Sequence, residues 1–104
     1  MYLGIDLGTS GVKLLLISGD QEVLDEASSH LSVRRPKPGW AEQDPSAWIS
    51  ATETALAEIS GRTDLGALRG IGLSGQMHGA TVLDASDRPL WPCILWNDTR
   101  AHEE

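Results

Sequence analysis

The 104-residue chain has no phenylalanine, one tyrosine and one cysteine. A lone Cys93 cannot close an internal disulfide, so any fold must hold without a covalent framework. A reducing cytoplasm is the compartment that suits such a chain. Basic residues are scarce: 8 Lys and Arg stand against 15 Asp and Glu, for a net charge of −7. Arg34, Arg35 and Lys37 form the only basic cluster, which is too short for a nucleic-acid partner, since phosphate backbones demand clustered cations. No apolar run approaches the roughly 20 residues that span a bilayer. The opening Met1–Asp6 lacks a basic leader and sets an acid within its apolar stretch, against a secretory signal. Three scattered histidines and one cysteine lack zinc-ligand spacing. The Walker pattern is missing, and Leu73-Ser74-Gly75 only superficially matches a nucleophile elbow. There are no internal repeats. At this length the chain is one domain or part of one, and 40% hydrophobic with 22% charged residues is ordinary for a globular chain.

Periodicity then organises what is present. Residues 2–7 alternate, with Leu3, Ile5 and Leu7 on one face and Tyr2, Gly4 and Asp6 on the other. Gly8-Thr9-Ser10-Gly11 reads as a turn, residues 12–18 as a second strand, Gly19-Asp20 as a turn, and residues 22–32 as a third strand. Two tight turns in succession imply an antiparallel three-stranded meander. Residues 33–45, with three prolines, read as loop. Asp44 as N-cap and Pro45 at the first helical position predict a helix. Trp48, Thr52, Ala55, Leu56 and Ile59 form its buried stripe, and Gly61 is its stop signal. Residues 69–74 read as a strand, Gly75–Gly79 as a loop, and 80–84 with 89–96 as a hairpin. Asn97 or Asp98 caps a further helix, which the chain would leave incomplete. The fold class is α/β: a mixed sheet that opens with the meander, then a crossover helix and further strands, cut short at Glu104.

Two segments carry candidate chemistry. In Asp6–Lys13 a strand ending in Asp meets a glycine-bounded Thr-Ser turn. Gly8 and Gly11 let backbone N–H groups face an anion, the hydroxyls of Thr9 and Ser10 add donors, Lys13 adds charge, and Asp6 can orient a hydrated Mg²⁺. A plain β-turn with a surface Asp stands open beside this reading. In Gly75–Gly79, Gln76 and His78 suit hydroxyls, at the kind of strand end where α/β proteins bind ligands; a turn with an incidental histidine is the alternative. Trp96, beside Asn97-Asp98-Thr99-Arg100, can pack on a sugar face or sit in a hairpin. Trp40 reads as a structural anchor and Cys93 as a small buried residue.

In this order the motifs resemble the FGGY carbohydrate kinases, which share the ribonuclease-H-like fold of actin and Hsp70. The resemblance runs over residues 1–104, as the N-terminal part of the first kinase domain on the sugar-binding side. Asp6–Ser10 resembles the first phosphate motif, Pro38–Pro45 the segment leading into the first helix, and Gly75–Gly79 and Trp96–Arg100 the sugar-side segments. Within the family, Gln76-Met77-His78-Gly79 is similar to xylulose kinases. The resemblance implies ATP-dependent phosphorylation of D-xylulose at its 5-hydroxyl, with ATP, Mg²⁺ and the sugar as partners in a cytoplasmic enzyme. A kinase for ribulose, gluconate or another polyol, and a non-catalytic actin-like binding module, are the alternatives. The resemblance further implies Asp6 as a catalytic acid that meets Mg²⁺ through water; Gly8, Thr9, Ser10 and Lys13 at the ATP phosphates; and Gln76, Met77, His78, Trp96, Asp98 and Arg100 on the sugar side. It sets the general base and adenine pocket beyond Glu104, so these residues alone are expected to be inactive. It leaves a homodimer of the full-length enzyme open.

Overall fold

A computed structural model of the chain describes residues 1–101. The meander forms as the alternation predicts. β1 (Tyr2–Leu7) pairs antiparallel with β2 (Gly11–Ile17), and β2 with β3 (Val23–His30). The turn between β1 and β2 is closed by Gly8 N–H donating to the Gly11 carbonyl at 2.9 Å. Gly11 is required by close approach: a Cβ there would stand 2.8 Å from the Ser29 carbonyl oxygen of β3.

β4 (Glu42–Gln43) lies inside the stretch expected to be all loop, where it pairs antiparallel with β6 (Cys93–Ile94). Two residues are too few to show a period. α1 (Pro45–Ser60) starts on Asp44, whose carboxylate accepts from Ser46 N–H at 2.9 Å and Ser46 Oγ at 2.7 Å. Its buried stripe is rotated from the expected one. Ala51, Ala55 and Ile59 are buried, with Trp48 and Leu56 packed at the flank. Two alanines let the helix axis come close to the sheet, which leaves the larger side chains at the rim. Gly61 caps the helix in a right-handed conformation, φ −72°, so the left-handed freedom of glycine is not what ends it. A short 3₁₀ turn at Leu65–Ala67 leads to β5 (Gly70–Gly75).

β5 adds to β1 in parallel, which gives the sheet order β3-β2-β1-β5. The core lies between the sheet and α1: Leu3, Val12, Leu14, Leu16, Ala27 and Leu31 meet Ala51, Ala55 and Ile59. α1 packs on β2 and β3. Ile71 and Leu73 align with Leu3 and Ile5 on that same face and are 62% and 79% exposed.

The predicted hairpin is reduced to the isolated bridges Leu83↔Pro89 and Ala80↔Ile94 around a turn at Asp84–Arg88. Pro89 and Pro92 have no N–H, so a regular ladder cannot run through them. At the predicted second helix the capping chemistry is present, with Asp98 Oδ1 accepting from Arg100 N–H at 2.8 Å. Residues 96–97 and 100–101 form turns, and no helix starts there among the described residues. His102 and any continuation of that helix lie outside the described residues.

Asp44→Ala removes the α1 cap and is expected to cost about 1 kcal/mol. Urea unfolding followed by circular dichroism would show a lower midpoint at unchanged slope; an unshifted midpoint would mean the cap contributes nothing.

Candidate active site

The parallel ladder sets the site. Leu7 stands opposite Gly75, and Gln76 N–H extends the ladder by donating to the Leu7 carbonyl at 3.1 Å. The turn after β1 and the loop after β5 therefore leave the sheet side by side, at the strand ends where α/β sheets bind ligands.

Side-chain bonds join the two segments directly. Thr9 Oγ1 donates to Gln76 Oε1 at 3.2 Å, and Trp96 Nε1 donates to Thr9 Oγ1 at 3.2 Å. Thr9, Gln76 and Trp96, singled out separately in the sequence, thus form one cluster. The bonds also occupy the Thr9 hydroxyl, expected at the phosphates. In this arrangement its single hydroxyl proton points to Gln76, and a phosphate would compete with Gln76 for it. The Gly8 N–H is likewise committed, to Gly11 within the turn. Ser10 is exposed beside them.

Asp6 and Lys13 face each other across β1 and β2 on the sheet face opposite the core. Asp6 Oδ1 accepts from Ser74 Oγ at 2.8 Å, and both residues line an open groove of about 440 Å³ with Gly4, Leu15, Gly72 and Ser74. Lys13 is mostly exposed and makes a loose 3.9 Å contact with Glu26, so its charge is available to an anion.

Met77 and His78 are exposed at the loop tip, and His78 takes a left-handed conformation, φ 61°. That conformation is uncommon outside glycine, though histidine, like asparagine and aspartate, adopts it more readily than other residues. Gly79 follows, where a Cβ would stand 3.1 Å from Cys93 Sγ. Trp96 is 59% exposed, with its ring edge held by Thr9.

Asp98 and Arg100 are engaged elsewhere. Arg100 donates from Nε to both Asp98 oxygens at 2.9 Å and from NH2 to Glu42 Oε2 at 3.0 Å, while Asp98 Oδ2 accepts from Ala41 N–H at 2.6 Å. The Asp98 side chain is 1% exposed. The Arg100 guanidinium also stacks on Trp40 at 3.7 Å. Together they clamp the proline loop, and Trp40 is the anchor its position suggested. The bonds from Arg100 hold the Asp98 carboxyl well below the usual carboxylate range, against the opposing effect of burial.

The residue that sequence reasoning missed is Gln43. It is 1% exposed, its Nε2 donates to the Thr9 carbonyl at 2.5 Å, and its Oε1 accepts from Trp48 Nε1 at 2.9 Å and Gln76 Nε2 at 3.3 Å. A glutamine among the polar neighbours Glu42 and Asp44 carries no local signal. Only its place in the Pro38–Pro45 segment marked it.

A carboxyl whose folded pKa lies below its unfolded value stabilises the fold above the unfolded value, about 4, and loses that contribution as the pH falls. Asp25 and Asp44 are also lowered, Asp25 chiefly by its hydrogen bonds from Arg62 and Asp44 by those from Ser46, so some acid-side loss is common to any variant. Arg100→Met is expected to be less stable at pH 7 and to show a smaller further loss between pH 5 and 2.5. Urea midpoints across that range check it; parallel profiles for the two proteins would contradict it.

Comparison with known proteins agrees with this geometry. The model for the FGGY family of carbohydrate kinases, N-terminal domain, matches residues 1–104. The xylulose kinase of Klebsiella pneumoniae is 51% identical over the whole chain, which spans 22% of that enzyme. A solved xyloylose kinase from Brucella ovis superposes with a TM-score of 0.95 at 58% identity, over 98% of this chain and 22% of that one. A gluconate kinase from Lactobacillus acidophilus superposes at 0.91 with 27% identity, over 98% of this chain and 20% of that one. The expected fold, an actin-like mixed sheet opening with an antiparallel meander, is the fold found. The chain, which spans about a fifth of the length of these relatives, belongs to the FGGY family of carbohydrate kinases.

Proposed function

We propose that the complete protein carrying this segment transfers the γ-phosphoryl group of ATP to the 5-hydroxyl of D-xylulose. The observation that carries the reading is the hydrogen-bonded junction of a phosphate turn with a sugar loop, Thr9 to Gln76. Xylulose is favoured over gluconate because relatives named for xylulose are 51% and 58% identical, against 27% for the gluconate kinase.

In the proposed reaction the sugar oxygen bonds to the γ-phosphorus as the bond to the β–γ bridging oxygen breaks. ADP leaves, and the hydroxyl proton passes to a carboxylate supplied from outside these residues. Such transfers depend on positioning and charge neutralisation more than on covalent chemistry. Lys13 and the Gly8–Gly11 turn, with exposed Ser10, receive the phosphates. His78, Met77 and Gln76 meet the sugar hydroxyls, and the exposed Trp96 ring packs on its carbon face. Asp98 and Arg100 support this region by holding Trp40 and the proline loop.

The donor chemistry of Asp6 fits Mg²⁺. An exposed carboxylate with one hydroxyl donor, Ser74, retains acceptor capacity for the water shell of a hard cation, which is commonly held by one or two carboxylates and the substrate phosphates. When bound, the ion supplies charge neutralisation at the transferring phosphoryl group. No helix among the described residues is long and apolar enough to cross a membrane. A reducing cytoplasm suits the free Cys93, and the proposal sets the enzyme there.

A coupled ADP-release assay of the complete protein on a panel of pentuloses, polyols and gluconate tests the reading. D-xylulose is expected among the best substrates; a preference for another sugar would overturn it. Asp6→Asn is expected to lower kcat and kcat/KM together, on the order of 100-fold, with little change in sugar affinity, as for a group acting mainly in the transition state. An unchanged kcat would remove Asp6 from the reaction.

A further inference from the structure

We propose that Gln43 is a positioning residue for phosphoryl transfer, one that holds the phosphate turn in register with the sugar loop. The inference rests on the kinase reading above and adds a residue to it.

Gln43 is the buried hub between the two segments. All its hydrogen-bonding capacity is used. Nε2 donates to the Thr9 carbonyl at 2.5 Å and to the Ser32 carbonyl at 3.4 Å, and Oε1 accepts from Trp48 Nε1 at 2.9 Å and Gln76 Nε2 at 3.3 Å. Chemistry fixes the orientation of this amide. An indole N–H only donates, so it must face Oε1; backbone carbonyls only accept, so they must face Nε2. With Gln43 Oε1 turned toward Gln76, Gln76 must present its NH₂ there and its own Oε1 to Thr9. The Thr9 hydroxyl must then donate to Gln76, and can only accept from Trp96. Every proton in the chain from Trp96 through Thr9 and Gln76 to Gln43 is directed, and Gln43 closes the circuit on the Thr9 backbone. Its own position is set by β4 and by the first turn of α1, through Trp48.

The consequence is mechanical. The β1–β2 turn receives the donor phosphates and the loop after β5 receives the acceptor sugar. Their relative placement sets the distance and line of attack, and a misplacement of about 1 Å can cost on the order of 100-fold in rate. Gln43 is 1% exposed and so is shielded from direct contact with either substrate, and its loss should reduce alignment more than binding.

The test uses the complete protein. Gln43→Met keeps the volume and removes all four bonds. It is expected to lower kcat at least tenfold while the KM values for D-xylulose and ATP stay within threefold. Gln76→Ala is made alone and with Gln43→Met. Because both act on one junction, the double variant should lose clearly less in kcat than the product of the two single losses. A purely packing role would instead give multiplying losses, or a kcat within twofold of wild type, and either result overturns the proposal. If Gln43→Met shows no cooperative melt, Gln43→Glu serves, since it keeps the acceptor toward Trp48 and Gln76 and loses the donor to Thr9. Wild-type kcat there would equally overturn the proposal. A wild-type protein without sugar-dependent ADP release would overturn the kinase reading itself, and is told apart from these outcomes by that control.

Discussion

Because β1 and β5 pair in parallel from Tyr2↔Gly70 to Leu7↔Gly75, two turns far apart in sequence leave the sheet at one end. Everything in the candidate site follows from that register. A slip by one residue would turn Ile71 and Leu73 to the opposite face and move Ser74 away from Asp6. It would also break the bond from Gln76 N–H to Leu7, and with it the approach of Gln76 to Thr9. The antiparallel meander supports this arrangement from the other side. It buries Val12, Leu14 and Leu16 under α1 and leaves Asp6 and Lys13 together on the open face.

Around the ladder, polar groups fix what apolar packing leaves free. On one side Gln43, Gln76, Thr9, Trp48 and Trp96 form a directed hydrogen-bond chain. On the other, Arg100 joins Asp98, Glu42 and the face of Trp40. Both networks converge on β4, a strand of two residues, through Gln43 and Glu42. Burying polar groups is costly unless each is paired, and paired groups in a low-dielectric setting have few alternative arrangements. A proline-rich loop that could take many conformations is thereby held in one, beside the segments proposed to bind substrates.

Much of this was legible in the sequence, for physical reasons that can be named. The meander showed in strict alternation at residues 2–7, and α1 in the Asp44-Pro45 start. The segments at 8–11 and 75–79 showed as glycine-bounded polar stretches, and the order of the motifs carried the family. The rotated stripe of α1 was not legible, since side-chain size, with alanine at 51 and 55, set which face came closest. The broken hairpin at 80–96 was readable in principle from Pro89 and Pro92, whose missing N–H groups outweigh the apolar run around them. Gln43 and the Arg100 clamp were not legible at all. Each also bonds a near neighbour, Trp48 for Gln43 and Asp98 for Arg100, but the partners that tie them to the rest of the fold, Gln76 and Glu42, lie 33 and 58 positions away, and no local pattern encodes those.

Asp98 and Arg100, expected on the sugar side, bond to each other, to Glu42, to Ala41 N–H and to the face of Trp40. The central claim is that one junction, from Thr9 to Gln76, brings donor phosphate and acceptor sugar together. The most direct measurement is a crystal structure of the complete protein with D-xylulose, Mg²⁺ and a non-hydrolysable ATP analogue. The sugar is expected within hydrogen-bond distance of His78 or Gln76, with the γ-phosphate at the Gly8–Gly11 turn. A sugar bound away from the loop after β5, or an analogue whose phosphates avoid that turn, would contradict it.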